Sequence, residues 1–239
     1  GAPGYPDLPL QARIEAAETA RANRPSQAQA EANLPPGARI EMPEPDPQFL
    51  ELMQRLRSAV AERPGELQGQ ELLARNEARL GNFGAAHEAQ ARVIEIKGDA
   101  ATAQDYADLA DMMILAAGGY VSPEAEAALA EALRRDPRNG PARYYTGLMM
   151  AQTGRPDLAF RLWRQLLQDS PPDAPWVPPV RAQIEGVADR AGVDFRLADL
   201  APPPATPPGP GPGPTREQME AAEEMTPEER MEMIRGMVS

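Results

Sequence analysis

Cysteine is absent from the 239 residues, which excludes disulfide stapling, thiolate catalysis and Cys-ligated zinc or iron–sulfur sites. Histidine occurs once, at His87, and lysine once, at Lys97. No His/acid constellation for a metal can be assembled, and there is no nucleophile elbow and no phosphate loop. Strand formers are also scarce. With 8 valines, 7 isoleucines and 11 aromatics, a large sheet could not cover its pleated faces. No apolar run approaches the ~20 residues of a membrane span, and there is no signal-peptide core. Basic residues are outnumbered, 24 against 36 acids, for a net charge of −12. The negative balance holds at both ends and in the middle, so no segment offers the basic patch that a phosphate backbone needs.

What the chain does have is alanine and proline. Alanines number 42, and alanine is the best helix former, with a side chain small enough to let helices approach closely. The 28 prolines, which break helices, are unevenly placed: nine in residues 1–47, ten in 48–200 and nine in 201–239. The expected class is therefore all-α, with a helical domain of about 150 residues between proline-rich segments.

Four segments follow from this. Residues 1–46 read as an N-terminal linker. Leu10, Ile14 and Ala17 there lie at helical spacing, but Pro25, Pro35, Pro36, Pro43 and Pro45 forbid a long helix. Residues 47–198 read as the helical domain. It opens with Asp46 as N-cap, Pro47 at the first position and a Phe49, Leu52, Met53, Leu56, Val60 stripe that should stop at Arg63-Pro64. Residues 199–214 are a spacer biased to polyproline II. Residues 215–239 form an amphipathic tail with capping boxes at Thr215/Gln218 and Thr226/Glu229. The tail places Met231, Ile234 and Met237 on one face, which would dock on the array, on a neighbour's groove or on a partner subunit, with a disordered tail as the remaining alternative.

Three helix-pair units emerge inside the domain. Ala86, Ala125 and Ala159 align at spacings of 39 and 34 residues, and Ala74, Ala110 and Gly147 occupy the matching place in the preceding helices. The longer spacing is absorbed by a longer connection and the Gly118–Pro123 turn. This pattern resembles the tetratricopeptide (TPR) repeat over about 67–171. It is clearest in the third unit, with Gly147, Gly154, Ala159, Trp163 and Pro171, and thinnest in the first, where Gln70, Glu77 and Gln90 stand at places usually aromatic. Phe83 and Trp163 read as packing residues. A following helix with Val180, Ile184, Val187 and Ala188 should cover the last face, as a terminal cap does. Trp176, between prolines, could fold onto that helix or rim a groove.

A TPR-type superhelix offers a concave groove lined by the first helix of each pair. The resemblance places Gln68, Arg75, Arg79, Gln104, Asp111, Ile114, Leu115, Tyr144, Leu148 and Gln152 there, a mixture suited to a helical or extended peptide. His87 reads as a partly exposed helix residue, and the Glu223-Glu224 and Glu228-Glu229 pairs as solvated faces. No catalytic residue and no cofactor are expected.

Three further stretches carry a narrower resemblance. They are GAPGYPDLPLQARI at 1–14, the array with Tyr144-Tyr145-Thr146-Gly147, Arg161-Leu162-Trp163 and Ala174-Pro175-Trp176, and MTPEERMEMIRGMV at 225–238. Together they resemble the CcmI (CycH) family of cytochrome c maturation factors. The resemblance implies a periplasmic domain, normally tethered by membrane helices, that holds apocytochrome c through its C-terminal helix and presents it to the haem ligation complex. The alternative is a scaffold docking folded subunits in a cell-envelope assembly. Gly1 at the start reads as a processing site or a boundary within a longer chain.

Overall fold

The structure, a computed structural model, describes residues 10–35 and 42–200. The expected proline spacer and tail, with Met231, Ile234 and Met237, lie outside the described residues. Among those described, every regular element is helical. The helices are α1 (Leu10–Ala22), α2 (Gln27–Ala32), α3 (Pro47–Glu62), α4 (Leu67–Arg79), α5 (Phe83–Lys97), α6 (Ala103–Ala116), α7 (Pro123–Arg135), α8 (Gly140–Gln152), α9 (Pro156–Asp169) and α10 (Val177–Ala191). None is long and apolar enough to cross a membrane.

Local sequence accounts for most boundaries. Asp46 accepts a hydrogen bond from the Gln48 amide at 2.7 Å, with Pro47 opening α3, and the helix stops at Arg63 before Pro64. Thr102 and Asp105 form a reciprocal capping box at α6, while Ser122 and Asn139 cap α7 and α8. Of the α3 stripe, Met53 and Val60 are buried, whereas Leu52 is 60% exposed. With 16 residues, α3 packs on α4 through one edge of that stripe only.

Packing is closest within α4–α5, α6–α7 and α8–α9, and each pair stacks on the next. The small residues stand at the crossings. Ala74, Ala86, Ala110, Ala125 and Ala159 are each at most 1% exposed. At Gly147 the approach is tighter, because the Trp163 indole lies against its backbone and donates to the Tyr144 carbonyl at 2.9 Å. Helix α10 then buries Val180, Ile184, Val187 and Ala188 against α9.

The three polar residues of the first unit are buried and satisfied. Gln70 donates to the Pro64 carbonyl (2.9 Å) and Gln90 to that of Asp105 (2.9 Å). Glu77, 2% exposed, receives Arg57 through Nε (2.5 Å) and Nη2 (2.8 Å), and also Asn82 (2.8 Å). Burial would raise the Glu77 carboxyl, but these donors outweigh it and hold it below the ordinary glutamate value. A hydrogen bond stands at Gln90 where the other two pairs bury the apolar Leu129 and Trp163.

Where a linker was expected, residues 10–35 form two helices tied to the array. Arg24 pairs with Glu126 and donates to the Val121 carbonyl (3.1 Å). Gln27 donates from its backbone amide to the Glu124 carboxylate (2.9 Å) and through Nε2 to the Met113 carbonyl (2.7 Å). The Tyr120 hydroxyl donates to the Pro25 carbonyl, and His87 meets Glu31 at 2.9 Å. The prolines do limit helix length, since α1 ends three residues before Pro25. They do not prevent docking, because the segment is held by polar contacts that hydrophobic periodicity does not register.

Candidate functional site

The first helices of the second and third pairs, α6 and α8, lie against each other, and the start of α10 continues the same face. Between them opens a cleft of about 290 Å³. Helix α6 contributes Ala107, Asp108 and Asp111, α8 contributes Pro141, Tyr144 and Tyr145, and the α10 entry contributes Pro175, Trp176 and Pro179. Each residue is placed by local geometry. Asp108 and Asp111 are one helical turn apart and share a face. Tyr144 stacks on the buried Trp163, with ring centroids 5.9 Å apart and planes 17° apart, so its position follows from the Trp163–Gly147 packing. Trp176 donates from Nε1 to the Ser170 hydroxyl at 2.7 Å, and its ring lies over Gly140, where any side chain would collide with it. It therefore both anchors α10 and rims the cleft.

The electrostatics are one-sided. Burial pushes the Asp108 carboxyl up, Asp111 and Asp105 add repulsion, and a Gln104 hydrogen bond (2.6 Å) only partly offsets this. Burial likewise raises Asp111 despite a hydrogen bond from the Tyr145 hydroxyl, whose own ionisation is strongly suppressed by burial and by that neighbouring carboxylate. No group of three or more His, Cys, Asp or Glu suited to a metal occurs among the described residues.

The ten expected groove residues separate. Asp111 and Tyr144 line the cleft. Leu148, one turn beyond Tyr144, is half-buried between the cores of the second and third pairs. Gln104 sits at the cleft's end, bonded to Asp108 and accepting from Asn139 at 3.3 Å. Gln152 is engaged elsewhere, donating to the Gly119 carbonyl (2.8 Å) and accepting from the Val121 amide (3.0 Å), so it fastens the turn insertion. Ile114 is a core residue, 1% exposed, because Ala107, Ala110 and Ile114 form the stripe of α6 that packs in the second pair's core. Leu115 borders a separate recess of about 380 Å³ with Glu31, Leu34 and Phe83. Gln68 and Arg75 are exposed on α4, and Arg79 lies over the Phe49 ring at 5.2 Å.

Asp108, Pro141 and Pro179 were not singled out in the sequence, and Tyr145 and Pro175 stood there only within the motifs of the family resemblance. The Asp108/Asp111 spacing on a first helix was the available signal for one of them. At the α10 entry the sequence pointed to Trp176, which does both things its setting allowed, but the place of Pro179 beside α6 is a tertiary fact.

Two curated relatives share extended similarity with the chain. The cytochrome c-type biogenesis protein CycH of Rhizobium meliloti (strain 1021) is 33% identical over 239 residues, all of this chain and 51% of that protein. The protein of the same name from Bradyrhizobium diazoefficiens is 31% identical over 175 residues, 73% of this chain and 42% of that protein. The chain thus spans about half the length of the curated relatives it matches. No family model matches it, and no solved structure does.

Proposed function

This chain belongs to the CcmI (CycH) family of cytochrome c-type biogenesis proteins, and from that premise we propose that its helix array is a non-catalytic holder of apocytochrome c. In this reading the array grips chiefly the client's C-terminal helix and presents it to the haem ligation complex. The domain works on the periplasmic side of the inner membrane, in a parent protein anchored there. The observation that carries the reading is the cleft on the first-helix face, where Asp111 and Tyr144 stand beside Trp176 between proline-rich walls. Aromatic surface framed by a few polar groups is what a peptide-recognition groove provides.

Binding of a labelled peptide from the C-terminal helix of a c-type cytochrome tests it. The native peptide should bind better than its scrambled form, and Tyr144→Glu or Leu148→Glu should weaken it at least tenfold. Equal affinity for both peptides, unchanged by either substitution, would refute the reading.

A scaffold that docks folded subunits is the second reading. It is favoured by the exposed apolar residues Leu50 and Leu52 of α3 and Leu72 of α4. It predicts binding sensitive to Leu52→Glu and indifferent to Tyr144→Glu.

A further inference from the structure

Among the described residues, those lining the cleft include the carboxylates Asp108 and Asp111 and no lysine or arginine. The cation whose field reaches Asp108 is Lys97, and that ammonium is already shared between Glu71 and Asp105 at 2.9 Å each. Asp111 accepts from the neutral Tyr145 hydroxyl, and its carboxyl is governed by burial and that hydrogen bond. Two desolvated carboxylates one turn apart are costly in the free protein, because burial disfavours their charge and they repel each other. Around them the walls are apolar and aromatic: Pro141, Tyr144, Pro175, Trp176 and Pro179. The Tyr144 and Tyr145 rings stand 4.7 Å apart.

A long aliphatic stem ending in a positive head matches both parts of this surface. The methylenes would lie on the prolines and the indole, and the head would reach the carboxylates while passing aromatic faces. An uncharged apolar group would leave both carboxylates desolvated with only neutral hydrogen-bond partners, and an anion would be repelled.

We propose that this cleft is a specificity pocket for a single lysine or arginine side chain of the bound polypeptide. The proposal rests on the reading that the array binds a client, and it names what the site selects within that client. Recognition then depends on a basic residue at one position of the client helix, not on its overall hydrophobicity.

Two probes on the full 239-residue chain separate this proposal from the reading beneath it. The first is the cytochrome C-terminal peptide, with each lysine and arginine replaced in turn by norleucine. One replacement should weaken binding to the wild-type chain about tenfold, or 1.4 kcal/mol. The same replacement should change nothing against Asp108→Asn/Asp111→Asn, which itself binds the native peptide about tenfold more weakly. If that double variant binds the native peptide with wild-type affinity, the pocket is overturned while the client reading stands. The second probe is Nα-acetyl-lysine methylamide, followed by the Trp176 indole N–H resonance. A shift that is lost in the double variant supports the pocket even if the peptide does not bind, an outcome that would remove the client reading alone. No shift together with no peptide discrimination would overturn the pocket. Asp108→Asn alone, which keeps a hydrogen-bonding partner for Gln104, serves as the second variant if the double one does not fold.

Discussion

Replacing Gly147 by alanine places two opposed effects on one atom. In a helix interior the added methyl normally stabilises by about 1 kcal/mol through backbone entropy. Here that methyl would stand 2.5 Å from Cδ1 and 2.9 Å from Cε2 of Trp163, and nearer still to Nε1. Carbon atoms in contact prefer about 3.5–4.0 Å, so either the indole or α9 must retreat by roughly 1 Å. Trp163 is 0% exposed and has nowhere to go. Overpacking of this kind costs about 1–3 kcal/mol, and losing the Trp163–Tyr144 hydrogen bond costs about 1 kcal/mol more. The net expectation is a loss of about 1–3 kcal/mol, which for a chain of this size lowers Tm by about 3–10 °C. Far-UV circular dichroism with heat and urea measures it. Gly186 in α10, where an added Cβ meets nothing within 4 Å, is the control, and Gly186→Ala should stabilise by about 0.5–1 kcal/mol. A Tm for Gly147→Ala equal to or above wild type would refute the argument that this glycine exists to admit Trp163.

Three other outcomes follow from named contacts. Arg57→Ala leaves the Glu77 carboxylate buried with Asn82 alone, which should cost about 2–3 kcal/mol near neutral pH, since Arg57 itself is half exposed. Because the folded Glu77 pKa lies below its ordinary value of 4.5, this stabilisation is present above about pH 4.5 and is lost as pH falls through the folded value. The difference between wild type and Arg57→Ala in urea midpoint should therefore shrink on acidification, and a constant difference would contradict it. Asp108 has the opposite sign. Its folded pKa is raised, so its charge destabilises the fold above that value, and Asp108→Asn should raise Tm at pH 7 with a gain that vanishes below about pH 3.8. A lowered Tm at pH 7 would contradict this. Arg24→Ala removes the Glu126 pair and the Val121 hydrogen bond, and should speed tryptic cleavage after Arg21 about tenfold as residues 10–35 detach more often. An unchanged cleavage rate would show that the segment is held by other contacts.

Much of the fold was legible because it rests on small residues at fixed positions. Ala86, Ala125 and Ala159 are fully buried where the spacing placed them, and the stop at Arg63-Pro64 and the apolar face of α10 follow from proline chemistry and helical periodicity. What escaped depends on partners distant in sequence. Gln70, Glu77 and Gln90 read as departures from a pattern, yet each is buried on a specific donor or acceptor that only the fold supplies. Residues 10–35 bury Ala17 of the helically spaced set, but they are tied down by Arg24, Gln27 and Glu31, polar residues that carry no periodic signal. The cleft itself was only partly legible for the same reason. A first-helix rule locates Asp111 and Tyr144, but it also selects Ile114, which faces the core, and Gln152, which the turn insertion consumes. Helical spacing alone does not say which side of α6 meets α7 and which side meets α8.

The central claim is that a client polypeptide lies on the first-helix face beside Tyr144. Site-specific photocrosslinking addresses it most directly, with benzoylphenylalanine placed at Tyr144 and, for comparison, at the exposed Arg161 on α9, each incubated with apocytochrome c. The account predicts an adduct from position 144 that maps to the client's C-terminal helix, with little from position 161. Adducts from position 161 with none from position 144 would contradict it.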